Sequence, residues 1–329
     1  MAVAVALPSR IVAVTVSDPA IRVQGVLLRR GLVALLILFA LSACGGHDAA
    51  PAQPAVGESQ GRQAGGDAAL GAAPALSTSA SATAKASGGA PAAAFVQKQP
   101  GTFGIIVRDR VTGQVWKAGN TTATTWTAST IKLAIATDLL ERNAAKEIAL
   151  DATDRANLDK ALINSDNDAA TALWNRYDGP GMLDRFRSKY NMSSLAVIDG
   201  YDTFWRNLRC SAEDLQNLMS YVLDKLDPQS RTYLVTTLRK VASNQRWGVW
   251  AAGSGLKPGN KDGWAEKPVN GKNVWVTHTV GFAGDGERYV VAAMYEQKPG
   301  GTLEKGAHAV SDAIATYFGA KVPAPVTLP

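Results

Sequence analysis

Short apolar runs near the two ends of the folded part of the chain, with longer helical runs between them, set its layout. Residues 103–109 and 115–118 are rich in β-branched and aromatic side chains and flank the turn-like Val111-Thr-Gly-Gln114, which predicts two strands. The apolar stretch 126–140 then predicts a helix that runs to about Asn143. Helical spacing continues over 156–163, 169–177 and 182–190, broken at Ser165-Asp166-Asn167. Ser211-Ala-Glu-Asp214 ahead of Leu215, Leu218, Met219, Val222 and Leu223 is a helix start of the capping-box kind, and 228–243 supplies one more helix. After a glycine-rich passage (Gly253, Gly255, Gly259, Gly263) strands return over 273–282 and 288–295, turned by Gly284-Asp285-Gly286. A last helix over 303–318 stops at Gly319. This order predicts an α+β fold: early and late strands share one antiparallel sheet flanked by helices, and the helical middle forms an inserted all-helical lobe. A cleft between the two is the expected place for a ligand.

The 329-residue chain does not begin with this pattern. Residues 29–44 hold Arg29 and Arg30, an apolar core too short to span a bilayer comfortably, and a small-residue exit, which are the parts of a signal peptide. Leu41-Ser42-Ala43-Cys44 followed by Gly45-Gly46 resembles the lipobox of bacterial lipoproteins, whose cysteine is lipidated and becomes the mature N-terminus. An ordinary cleaved signal or an uncleaved anchor would use the same apolar core. Residues 1–28 sit ahead of that segment, so translation is expected to start near Val23 or Val26. Residues 45–97 are almost wholly Ala, Gly, Ser, Pro, Gln and Thr and lack the apolar surface to offset their conformational entropy. As a flexible coil they would span about 40 Å. The expected organisation is therefore an N-terminal extension and lipoprotein signal peptide over 1–43, a disordered tether over 44–97, and a folded domain over 98–329.

Charge and cysteine content narrow the picture further. Of the formal +6, residues 1–43 account for +3 (Arg10, Arg22, Arg29 and Arg30 against Asp18), leaving +3 for the remainder with no block of like charges. Nucleic-acid binding has no support in that distribution. With Cys44 assigned to lipid, Cys210 is alone, so there is no disulfide framework, and a buried small residue is its simplest role.

Candidate chemistry centres on Ser129 and Lys132, at the mouth of the 126–140 helix and on one face of it. A serine is a weak nucleophile until a neighbouring base takes its proton, and a partly desolvated amine can serve. A second Ser-x-x-Lys, Ser254-Gly-Leu-Lys257, lies among glycines with no helix to align it and reads as accidental. The first is followed in order by Ser165-Asp166-Asn167 and Lys261-Asp262-Gly263. That set resembles the class A β-lactamase and penicillin-binding serine hydrolase superfamily, with its S-x-x-K, S-D-N and K-T-G motifs, over roughly residues 98–320. The resemblance implies Ser129 as the acylated nucleophile, Lys132 as its proton acceptor or relay, and Ser165 as donor to the leaving nitrogen. It further implies Asn167, Lys261, Asp262, Gly263 and Trp264 around the substrate, Asp166 orienting the loop, and an oxyanion hole from the backbone N–H groups of Ser129 and Trp264. No cofactor or metal is implied.

Two departures qualify this. Asp262 stands where the family has Thr or Ser, so a hydroxyl donor to a substrate carboxylate becomes an acceptor that repels it when ionised. Lys-Asp-Gly-Trp with the later 277–282 strand is closer to a β-lactamase-like branch bearing Lys-Asn-Gly-Trp. The chain also has no Glu between Glu147 and Glu213, where class A enzymes carry the base that activates the deacylating water; only Asp199 and Asp202 fall near. The expectation is a membrane-tethered, extracytoplasmic, monomeric serine hydrolase that forms an acyl-Ser129 ester with a β-lactam, a cell-wall peptide or a related amide or ester, and releases it slowly. The alternatives are a plain N-cap at Ser129, a Ser-His-Asp triad through His278 without a G-x-S-x-G elbow, a non-catalytic binding module that keeps the fold, and a spacer protein.

Overall fold

The computed structural model describes residues 88–329. The signal segment, the Cys44 lipidation site and the tether as far as residue 87 lie outside these residues. The first described element is helix α1, Gly89–Gln97. It falls inside the stretch expected to be tether, so the folded domain reaches back at least to Gly89. Its composition is that of the tether, but Ala92 and Val96 are buried, and Val96 joins a cluster with Phe103 and Val310. Tertiary burial, not composition, decides its state.

Strands β1 (Gly101–Asp109) and β2 (Val115–Gly119) follow, then the two-residue β3 (Thr125–Trp126). Five helices build the lobe: α2 (Ile131–Ala144), α3 (Ala152–Ile163), α4 (Asn167–Arg176), α5 (Gly179–Ser188) and, after the short strands β4 (Ala196–Val197) and β5 (Leu208–Cys210), α6 (Ala212–Asp224). Helix α7 (Pro228–Leu238) ends five residues before the sequence predicts. Strands β6 (Gly259–Val269), β7 (Lys272–Ala283) and β8 (Tyr289–Gln297) and helix α8 (Leu303–Phe318) complete the domain. The main sheet is antiparallel in the order β2-β1-β8-β7-β6, and a small second sheet pairs β3-β5-β4. Early and late strands thus share one sheet, and the α+β arrangement is the one the sequence predicts.

Local chemistry explains most of the boundaries. Ser211 and Asp214 cap α6 reciprocally, and Asp151 and Asp154 do the same for α3. Gly319 closes α8 in the left-handed region that glycine adopts at least cost. Strand alternation then sorts the core. On β8, Val290, Ala292 and Met294 pack with the lobe, whereas Val291, Ala293 and Tyr295 pack with Val310, Ala313 and Ile314 of α8. A sheet buried on both faces explains why β8 reads as a continuous apolar run. Cys210 is fully buried, as expected.

A carboxylate ties the lobe together. Asp138 of α2 is wholly buried and receives the guanidinium of Arg185 from α5 and, at 3.3 Å, that of Arg142. Asp138→Ala leaves two cations facing an apolar hole and should cost about 3 kcal/mol of stability, measured by urea unfolding. Past α8 the chain doubles back. The Ala324 N–H bonds the Asp312 carboxylate at 2.7 Å, and Val326 and Leu328 pack on the cluster that holds Trp247 and Trp264.

Candidate active site

Ser129 lies in a single 3-10 turn, Ala128–Thr130, directly ahead of α2. The Thr130 hydroxyl donates to the Thr127 carbonyl at 2.6 Å and pins the turn. Ala128 takes a φ of +47°, in the left-handed region, which costs a residue with a side chain about 1–3 kcal/mol. Ser129 is half-buried and its hydroxyl has no hydrogen-bond partner among the described residues.

One helical turn on, Lys132 is 1 % exposed. Its Nζ donates to Asn167 Oδ1 at 2.8 Å, to Ser165 Oγ at 3.3 Å and to the Ser165 carbonyl, and stands 4.9 Å from the centre of the Trp205 ring. Its bonds therefore run across the cleft to the α3–α4 turn and not to Ser129. Burial, then the nearby charges of Lys261 and Arg206, pull its pKa down to about 6. At neutral pH the group is mainly the free amine, which has two N–H groups to share among these three oxygens and a lone pair able to accept a proton.

The α3–α4 turn does two jobs. Asp166 caps α4 by accepting from the Ala169 N–H at 2.8 Å, and this holds Ser165 and Asn167 toward Lys132. Ser165 adopts a φ of +58°, a second strained residue at the site. Its hydroxyl also receives Lys261 Nζ at 2.8 Å, so one oxygen joins two amines. Lys261 is fully buried, donates as well to the Asp262 carbonyl at 2.7 Å, and is held below the usual ammonium range by burial.

Strand β6 supplies Lys261, and its glycine- and charge-rich sequence hid it from pattern reading. Side chains alternate along a strand, so Lys261 and Gly263 face Ser129 while Asp262 faces the other way. A Cβ on Gly263 would come within 2.8 Å of the backbone nitrogens of Ser129 and Thr130. Asp262 is completely buried, accepts from Thr279 Oγ1 at 2.6 Å, and is pushed up by burial, well above the usual carboxylate range. This corrects the expected substrate contact at Asp262: its carboxylate is sealed behind the strand and presents no charge to the cleft. Trp264 is half-buried and does line the cleft.

The cleft has a volume of about 330 Å³ and is lined by Ser129, Ser165, Asn167 and Trp264, all four predicted. Trp205, Arg206, Asn244, Gln245, Lys267 and Pro329 also line it and carried no motif to announce them. Asp199 and Asp202 are exposed and outside the lining, which contains no carboxylate side chain. His278 offers no triad: it is fully buried, Nε2 faces the Trp126 carbonyl at 2.9 Å, and Nδ1 accepts from the Tyr295 N–H at 3.1 Å. Burial lowers its pKa to about 4, so it stays neutral. The second Ser-x-x-Lys is a surface feature, with Lys257 paired to Asp285.

Comparison with known proteins agrees with this geometry. Residues 91–156, which include Ser129 and Lys132, match the model of the beta-lactamase enzyme family. Proteins of Mycobacterium tuberculosis and Mycobacterium bovis that carry the name "Putative lipoprotein LppW" are 31 % identical over 175 residues, 53 % of this chain and 54 % of theirs. The chain thus spans about half the length of the curated relatives it matches. A class A β-lactamase from Mycobacterium abscessus superposes with a TM-score of 0.57 at 17 % identity, covering 71 % of this chain and 100 % of that one. A β-lactamase from Desulfarculus baarsii gives 0.56 at 17 %, covering 72 % and 99 %. One from Burkholderia vietnamiensis gives 0.56 at 18 %, covering 71 % and 96 %. The fold is that of the class A β-lactamases.

Proposed function

We propose that this β-lactamase-like domain is a serine hydrolase that works by acyl transfer through a Ser129 ester. Ser129 Oγ attacks the carbonyl carbon and its proton passes to the Lys132 amine. The carbon–nitrogen or carbon–oxygen bond then breaks, and Ser165 hands a proton to the departing atom, resupplied from Lys132 or Lys261. Backbone N–H groups of Ser129 and Trp264 stabilise the oxyanion, and Asn167 holds the substrate amide. The observation that carries this reading is the Ser165 hydroxyl bonded to both Lys132 and Lys261 beside Ser129. Substrates are β-lactams, cell-wall peptides or related amides and esters. Release is slow, because no side-chain carboxylate lines the cleft to activate water. The lipoprotein name of the mycobacterial relatives supports a lipid anchor, which this reading places at Cys44, and an extracytoplasmic, membrane-tethered protein.

Intact-mass spectrometry after incubation with benzylpenicillin and with p-nitrophenyl esters tests this. The expected result is a stoichiometric, slowly decaying adduct that is absent from Ser129→Ala. No adduct on the native protein would leave a binding module on the same fold, and an adduct that persists in Ser129→Ala would move the nucleophile elsewhere.

A further inference from the structure

Two cations on the wall of the cleft have no acidic partner among the described residues. Arg206 follows Trp205, and its guanidinium lies 4.9 Å from the centre of that ring, the same ring that Lys132 approaches at 4.9 Å. Lys267 comes from the far end of β6; its Nζ stands 4.2 Å from the centre of the Trp126 ring and 3.4 Å from the Arg206 carbonyl. Elsewhere Arg185, Arg231, Arg239 and Arg288 are all paired with carboxylates. Aromatic faces hold a cation through the ring quadrupole without using up its N–H donors. Arg206 and Lys267 are thus fixed in place with donors to spare.

No acidic side chain in the cleft offsets them. Its lining carries no carboxylate side chain, and Asp262 is buried behind β6. Partial burial and the Arg206 charge hold Lys267 below the usual ammonium range, a like-charge cost that a bound anion would relieve. Lys261, by contrast, already spends donors on Ser165 and on the Asp262 carbonyl.

We infer that Arg206 and Lys267 form an anion subsite, so that the substrate carries a carboxylate or similar charge on an arm reaching past Ser129 toward the Trp205 and Trp126 rings. As a statement about substrates this rests on the acyl-transfer reading of Ser129; as a statement about binding it does not. The test therefore has two arms. Glutarate is titrated calorimetrically into the Ser129→Ala protein, with glutaramide as its uncharged counterpart. Glutarate should bind at least about tenfold more tightly than glutaramide, lose that advantage in Arg206→Gln/Lys267→Gln, keep part of it in Arg206→Lys, and weaken with added salt. In the second arm, mono-p-nitrophenyl glutarate should acylate the native protein about tenfold faster than p-nitrophenyl butyrate, and the double variant should remove the preference. Equal binding of glutarate and glutaramide, or glutarate binding unchanged in the double variant, overturns the subsite. Discrimination in the first arm with no acylation by either ester leaves the subsite standing and overturns the Ser129 reading alone.

Discussion

Lys132→Met should slow acylation of Ser129 by on the order of 10²–10⁴-fold, the usual contribution of a positioned general base. Methionine fills a similar volume on α2 but cannot take a proton, so substrate binding should change little and the loss should fall on the rate of adduct formation. In the native protein that rate should rise with pH through about 6, where burial and the charges of Lys261 and Arg206 bring Lys132 to the free amine. Stopped-flow acylation between pH 5 and 9 reads this limb. A limb near the ordinary lysine value of about 10 would mean that Lys132 is protonated at work and that another group is the base. Stability moves in the opposite sense to activity in the variant. A lysine whose folded pKa is depressed binds fewer protons folded than unfolded, so its contribution to stability improves as pH rises from about 6 toward the ordinary lysine value of 10.5. At pH 7 that penalty is still present in the native protein and absent from Lys132→Met. The variant should therefore melt no lower than the native protein while being nearly inert, a pairing that misfolding would not produce.

Gly263→Ala should be almost as damaging through geometry alone. The added methyl would sit 2.8 Å from the nitrogens of Ser129 and Thr130, which are backbone atoms in a pinned turn and cannot swing aside. Strand β6 or the Ala128–Thr130 turn must shift by several tenths of an ångström, which spoils the alignment of the two backbone N–H groups proposed for the oxyanion. Loss of one such donor typically costs about 10²–10³ in rate. The acylation rate should drop by that order while the pH limb moves little, since the methyl meets the Ser129 and Thr130 backbone and not the contacts that Lys132 makes with Ser165 and Asn167. A limb that shifts together with the rate would show that the sheet had moved more broadly.

What could be read from the sequence followed how local its cause was. The caps at Ser211 and Gly319 and the Ser165-Asp166-Asn167 turn are set by neighbours a few residues away, and each is legible. Helix α1 is not, because Gly, Ala and Pro look the same in a tether as in a helix packed beside α8. Strand β6 was obscured by Gly259, Lys261, Asp262 and Pro268, residues of low strand propensity that its pairing with β7 overrides. A motif match places Asp262 in the cleft because it records order and ignores which face of the strand each residue takes. Arg206 and Lys267 meet only through tertiary structure, and no spacing rule links positions so far apart in the chain.

The returning C-terminal segment bears on how the protein is handled. Anchored through Ala324, with Val326 and Leu328 packed on the core cluster beside α8, it delivers Pro329 to the rim of the cleft. An affinity tag or reporter fused after Pro329 would emerge at the rim of the cleft proposed to take substrate, and an inactive preparation of that design would report on the fusion.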